Sequence, residues 1–116
     1  IFHFLLHVFT TPNIQSELTK RGTQPVVRNH RLYVRALDLY RYFAHWFEFT
    51  YRLAARTTYD QTHFHAKIRE LGFQSRRRTG IVDGRCNLYE FHAETNLEQL
   101  AAHLETSKSE LLDLLN

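Results

Sequence analysis

The chain has 116 residues, of which 43% are hydrophobic and 23% charged, with a formal net charge of +3. That length accommodates one domain with a modest core. No apolar run approaches the roughly 20 residues of a membrane-crossing helix, so no membrane partner is expected. The single cysteine, Cys86, excludes an internal disulfide and fits a reducing, intracellular compartment, the cytoplasm or nucleus of a host.

The charge is unevenly placed. Residues 20–85 hold 14 of the 15 Lys and Arg but 5 of the 12 acids, a local charge of +9. Residues 86–116 hold Lys108 against six acids, a local charge of −5. A basic body with an acidic tail points to a polyanionic partner for the body and a separate terminal helix. The chain contains no methionine and reads as a piece of something longer.

In chain order, residues 1–9 (IFHFLLHVF) read as the end of a helix, with no cationic leader before them. Thr11 and Pro12 predict the next helix start, threonine as N-cap and proline in the first turn, with the helix running over about 12–20 and ending near Gly22. Residues 21–31 (RGTQPVVRNHR) have no helical period and read as a linker. Residues 31–34 suit a short strand. The clearest helix spans 35–49 (RALDLYRYFAHWFEF). Asp38, Arg41, His45, Glu48 and Arg52 form its polar stripe. Leu37, Tyr40, Phe43, Ala44 and Phe47 fill one apolar side, and Leu39, Tyr42, Trp46 and Phe49 the other. Such a wide apolar arc predicts burial on two sides, with Trp46 in the core. Residues 50–59 read as a loop with room for a strand near Thr57 and Thr58.

Asp60 is the expected N-cap of a helix over 60–71, with Phe64, Ile68 and Leu71 on its apolar face. Gly72 is placed to end it in the left-handed conformation, with Phe73 packing back. At 100° per residue, Thr62, His65 and Arg69 point away from that apolar face. A basic hairpin follows over 74–92, with Arg76, Arg77 and Arg78 on its first strand and Asp83-Gly84 at the turn. Tyr89 and Phe91 share the inward face of the return strand. The tail carries two capping boxes, Thr95-x-x-Glu98 and Ser107-x-x-Glu110, each opening a leucine-rich helix. The leucines (Leu97, Leu100, Leu104, Leu111, Leu112, Leu114 and Leu115) are expected to dock a protein partner or a second copy.

A short helix leading at once into an arginine-bearing hairpin is the economy of a winged-helix domain. The expected fold is mainly α with a small β-hairpin (α+β), winged-helix-like, with additional N- and C-terminal helices. Its segments are 1–30, helical and linking; 31–93, the winged helix; and 94–116, a helical tail. The stretch LYRYFAHWFEF…TTYDQTHFHAKIRELGFQSRRRTG…CNLYEF resembles the winged-helix domain of the RFX transcription factors. It also resembles the C-terminal domain of viral and phage superfamily-3 primase-helicases. The resemblance rests on Tyr40, Trp46, Phe64, Ile68, Leu71, Gly72, Phe73, Arg76, Arg77 and Tyr89, and covers about residues 33–92. It implies a DNA-binding domain of a replication protein. A stand-alone regulator of transcription and a protein-interaction module remain the alternatives.

The expected contacts to duplex or forked DNA are Gln61, Thr62, His65, Arg69, Arg76, Arg77, Arg78 and Arg85. The arginines there displace counterions from phosphates, and the polar side chains reach base edges. No ATP-binding loop and no nucleophile–base–acid set appears, so no catalytic residue is expected. Eight histidines invite a metal hypothesis, but none has zinc-site spacing, and neither metal nor cofactor is expected.

Overall fold

The computed structural model describes residues 1–23, 25–28, 31–52, 59–78, 86–92 and 95–113. Alternating apolar residues in RLYVR and CNLYEFH build the middle of its sheet. Strands β2 (Arg31–Arg35) and β4 (Cys86–His92) run antiparallel, with Leu32 opposite Phe91 and Val34 opposite Tyr89. Paired positions share a face, so these four side chains make one apolar surface. Strand β1 (Val26–Arg28) adds outside β2, and β3 (Arg76–Arg78) outside β4, giving the order β1-β2-β4-β3.

Among the described residues, six helices accompany the sheet: α1 (Phe2–Thr10), α2 (Ile14–Lys20), α3 (Ala36–Tyr51), α4 (Gln61–Glu70), α5 (Asn96–His103) and α6 (Lys108–Asp113). The fold is therefore mixed α and β, with a larger sheet than a lone hairpin. A triangle of buried rings ties three helices together. Phe43 of α3 lies 4.7 Å from Phe64 of α4 and 5.1 Å from Phe4 of α1, centroid to centroid. Tilted and edge-on aromatic pairs of this kind add about 0.5–1.5 kcal/mol each beyond their area burial. Val34, Tyr89 and Phe91 close the same core from the sheet.

Several expectations change. Residues 21–31 are not all linker, because Val26–Arg28 pairs with β2. Thr11 does not start a helix. Its hydroxyl donates to the His7 carbonyl at 2.6 Å, ending α1, and α2 starts after Asn13. Leu37 and Phe49 are exposed rather than buried, and the Arg52 guanidinium lies 5.5 Å above the Phe49 ring. Trp46 is half-buried, packed on Phe4 and stacked on His7. Thr95 precedes α5 without a side-chain cap. Ser107 does cap α6, accepting from the Glu110 N–H at 3.1 Å, but the Glu110 carboxylate takes the Thr106 hydroxyl instead of reaching back.

The leucine-rich tail folds onto this domain's own core. Leu97, Leu100, Ala101 and Leu111 are buried in the same cluster as Phe4 and Phe43. Leu104 and Leu112 remain exposed, and Leu114 and Leu115 lie outside the described residues, as do Thr57, Thr58, Asp83 and Gly84. Among the described residues, no helix is long and apolar enough to cross a membrane.

Candidate nucleic-acid interface

Helix α4 is set by its two ends. Asp60 Oδ1 accepts the His63 N–H at 2.7 Å, as an N-cap should. At the other end Gly72, at φ 96°, donates to the Arg69 carbonyl at 3.0 Å, and Phe73 N–H reaches the Ile68 carbonyl at 3.2 Å. That pair of bonds is a Schellman motif, and it turns the chain directly into the hairpin. Phe64 and Ile68 are fully buried, which fixes the helix rotation. Gln61, Thr62 and Arg69 are consequently exposed.

His65 behaves differently from Thr62 and Arg69. It faces the sheet: its Nδ1 lies 2.8 Å from the Tyr89 hydroxyl, and the two rings stack at 5.7 Å. Half-burial lowers the His65 pKa below its usual value. Burial of Tyr89 pushes its phenol up to about 12, with Ser75 and Arg69 alongside opposing the shift. His65 Nε2 is buried without a partner. His65 therefore joins helix to hairpin rather than reaching outward.

Strand alternation sorts the arginines. Arg77 pairs with Asn87 and shares the face of Tyr89, toward α4; both Arg77 and Asn87 are exposed. Arg76 pairs with Leu88 and belongs to the opposite face. Arg78 pairs with Cys86 and is described by its backbone alone, and Arg85 lies outside the described residues. Gln61, Thr62 and Arg69 are thus exposed on α4, Arg77 belongs to the hairpin face that meets α4, and Arg76 belongs to the opposite face.

That outer face carries residues the sequence did not single out. Its register holds Arg35, Leu88 and Arg76 in one row, Val26, Tyr33 and Glu90 in the next, and Arg28, Arg31 and His92 in a third. Glu90 Oε1 is 2.8 Å from Arg31 and 3.5 Å from His92. The signal was the period-2 placement of arginine in RLYVR. It becomes readable only once β1 and β4 are known to flank that strand.

Two clefts are found among the described residues, the first of them lined in part by Arg76, Leu88, Glu90 and His92 of this outer face. One of about 320 Å³ follows β4 beyond the end of β3, where Gln99 Nε2 donates to the Gly72 carbonyl and Asn96 Nδ2 is buried without a partner. Another of about 250 Å³ lies beside Trp46, between His7, Glu17 and Phe49. Among the described residues, no group of three His, Cys, Asp or Glu is placed to hold a metal ion. No protein-family model matches this chain, and no curated protein or solved structure matches it.

Proposed function

We propose that this chain is a winged-helix DNA-binding domain that holds duplex through α4 and the inner side of the β3–β4 hairpin. The observation that carries this reading is the union of helix and hairpin. Helix α4 runs into β3 through a five-residue connection that opens with the Schellman motif, and is pinned to β4 by His65 and Tyr89. The return strand β4 lies between β3 and β2, so the hairpin continues the sheet that backs α1 and α3. A short helix followed at once by an arginine-bearing hairpin is the feature on which the winged-helix reading rests.

In this reading Arg69 and Arg77 contact phosphates on either side of the helix, and Gln61 and Thr62 face base edges. Neither Arg69 nor Arg77 has an ion-pair partner among the described residues. The resemblance to viral and phage primase-helicases supports placing the domain in a replication protein, where it would hold DNA for a catalytic part.

The test is binding of a fluorescein-labelled duplex by anisotropy across salt concentration. With about five phosphates contacted, log K falls linearly with log salt at a slope of about −4.5. Absence of binding at low salt, or an affinity indifferent to salt, contradicts the proposal.

A further inference from the structure

The cleft of about 250 Å³ beside Trp46 is lined from α1, α2 and α3, and no residue of α4 or the hairpin takes part. Its deepest groups are polar and already partnered. His7 Nε2 lies 3.0 Å from the hydroxyl of the buried Tyr42, and the Thr11 hydroxyl lies 3.4 Å from His7 Nδ1. Two further rings line it. Trp46 is half-buried, and Phe49, at 68% exposed, is the most exposed large apolar side chain described. Arg52 lies over one face of Phe49 and takes no part in the lining.

Two opposite charges border these rings without pairing to each other. Glu17 lies on α2 and Arg21 just after its end. Glu17 meets Lys20 at 3.5 Å in an exposed pair, and Arg21 has no ion pair among the described residues. Burial dominates at the base of the cleft, lowering the pKa of His7 and raising that of Tyr42. Beside it Glu17 acts on both groups and Arg21 on Tyr42, so both charges lie within reach of the same spot. A carboxylate accepts through two oxygens, and a guanidinium donates through a fork.

This combination selects a kind of ligand. The volume is below the roughly 300–1,000 Å³ of a site that encloses a drug-sized molecule, so it suits a single ring system. Exposed rings beside hydrogen-bonding side chains are how proteins hold an unstacked base. The polar edge must then offer two adjacent donors to Glu17 and acceptors to Arg21. Guanine carries N1–H and the 2-amino group side by side, followed by O6 and N7. Adenine and cytosine each offer one exocyclic amino group, and an indole offers one N–H and no acceptor.

We propose that this cleft binds a guanine base, with its ring against Phe49 and Trp46, its N1–H and 2-amino group on the Glu17 carboxylate, and O6 and N7 on the Arg21 guanidinium. The base is that of a free nucleotide or of an unpaired strand. The site stands on its own residues and does not depend on the duplex reading of α4.

Trp46 is the single tryptophan and lines the cleft, so its fluorescence reads occupancy directly. The test titrates the protein with guanosine, adenosine, cytidine, uridine and inosine monophosphates. Guanosine monophosphate should quench saturably, and the other bases should bind on the order of tenfold more weakly. Inosine monophosphate differs from it only in lacking the 2-amino group, so its deficit reads the Glu17 contact without a substitution in the protein. Glu17→Gln should bring guanosine and inosine monophosphates to within about twofold of each other. Phe49→Ala should weaken guanosine monophosphate on the order of tenfold. Both side chains are outside the core, and the melting temperature checks that each variant is folded. Equal affinity for all five nucleotides, or saturable quenching by none of them, overturns the proposal. So does wild-type affinity for guanosine monophosphate in both folded variants. An oligothymidylate with one central guanine, beside the same strand with adenine, identifies the source. With the guanine preference kept, a strand that binds more tightly than the nucleotide assigns the base to a strand, and one that binds no more tightly assigns it to a free nucleotide. Arg69→Glu/Arg77→Glu should leave the quenching unchanged, so failure of the duplex site and failure of this one are read separately.

Discussion

His65 of α4 and Tyr89 of β4 are joined by a 2.8 Å hydrogen bond and a stacked ring pair, and this contact makes helix and hairpin one body. Under the proposed function, losing it would leave two short elements to be ordered separately on binding, at a cost in affinity. Tyr89→Phe keeps the ring and removes the hydroxyl, leaving Nδ1 half-buried and unpaired. The expected cost is about 1–2 kcal/mol. A double-mutant cycle with His65→Phe, followed by urea unfolding, should return a coupling of about 1 kcal/mol. A coupling of zero would show that the bond does not join the two elements.

Acid should loosen the same joint. Burial lowers the pKa of His65 and, against a smaller opposing influence of Glu17, that of His7, both relative to the ordinary 6.5. A histidine with a depressed folded pKa binds its proton more readily when unfolded. Stability is then full above the unfolded pKa and falls as pH drops from about 6.5 toward the folded values. Melting temperature should therefore decline between pH 7.5 and pH 5, and His7→Gln/His65→Gln should flatten that decline. An undiminished pH dependence in the double variant would place its source elsewhere.

The ends of α4 can be weakened one at a time. Asp60→Ala removes the acceptor of the His63 N–H, at about 1 kcal/mol. At Gly72 an added Cβ would sit 3.5 Å from His103 Nδ1, an ordinary contact, so the cost of Gly72→Ala is the strain of φ 96°. That strain is about 1–2 kcal/mol. The two sites share no partner, so the losses in urea midpoint should add. A neutral Gly72→Ala would mean the Schellman exit does not set the helix–hairpin angle.

Much of α3 and α4 was legible because their signals are local. Asp60, Gly72 and the 3.6-residue spacing of Phe64 and Ile68 act within one helix and need no knowledge of the rest. The return strand was legible for the same reason, through the alternation of Tyr89 and Phe91. Strand β1 was not, since a three-residue edge strand with Val27 and Arg28 exposed carries almost no pattern. Thr11 misled because its hydroxyl has two uses, accepting an N–H to start one helix or donating to a carbonyl to end another, and here it donates to the His7 carbonyl. The division of Arg76 from Arg77 is a matter of strand register, which three consecutive arginines cannot disclose. The leucines of α5 looked like a docking face because the sequence does not say which surface covers them. Here Leu97 and Leu100 are covered by the domain itself.

The ring triangle should be the mechanical centre of the domain. Phe64→Ala removes a fully buried ring that touches both Phe43 and Phe4. The expected loss is about 3–5 kcal/mol, a large part of the 5–15 kcal/mol typical of a domain. Trp46, the single tryptophan, packs on Phe4 and Phe43, so its fluorescence reports the transition. A shift in midpoint worth less than about 1 kcal/mol would contradict this placement of the core.

The most direct measurement of the central claim is the affinity of Arg69→Glu/Arg77→Glu for a labelled duplex, read by anisotropy at fixed salt beside the wild-type protein. These two exposed side chains lie on the helix side of the hairpin, and neither is part of the core. Reversing both charges should weaken binding by an order of magnitude or more, with the melting temperature unchanged. An affinity equal to that of the wild type, in a protein that remains folded, would contradict the proposal that α4 and the inner hairpin bind DNA.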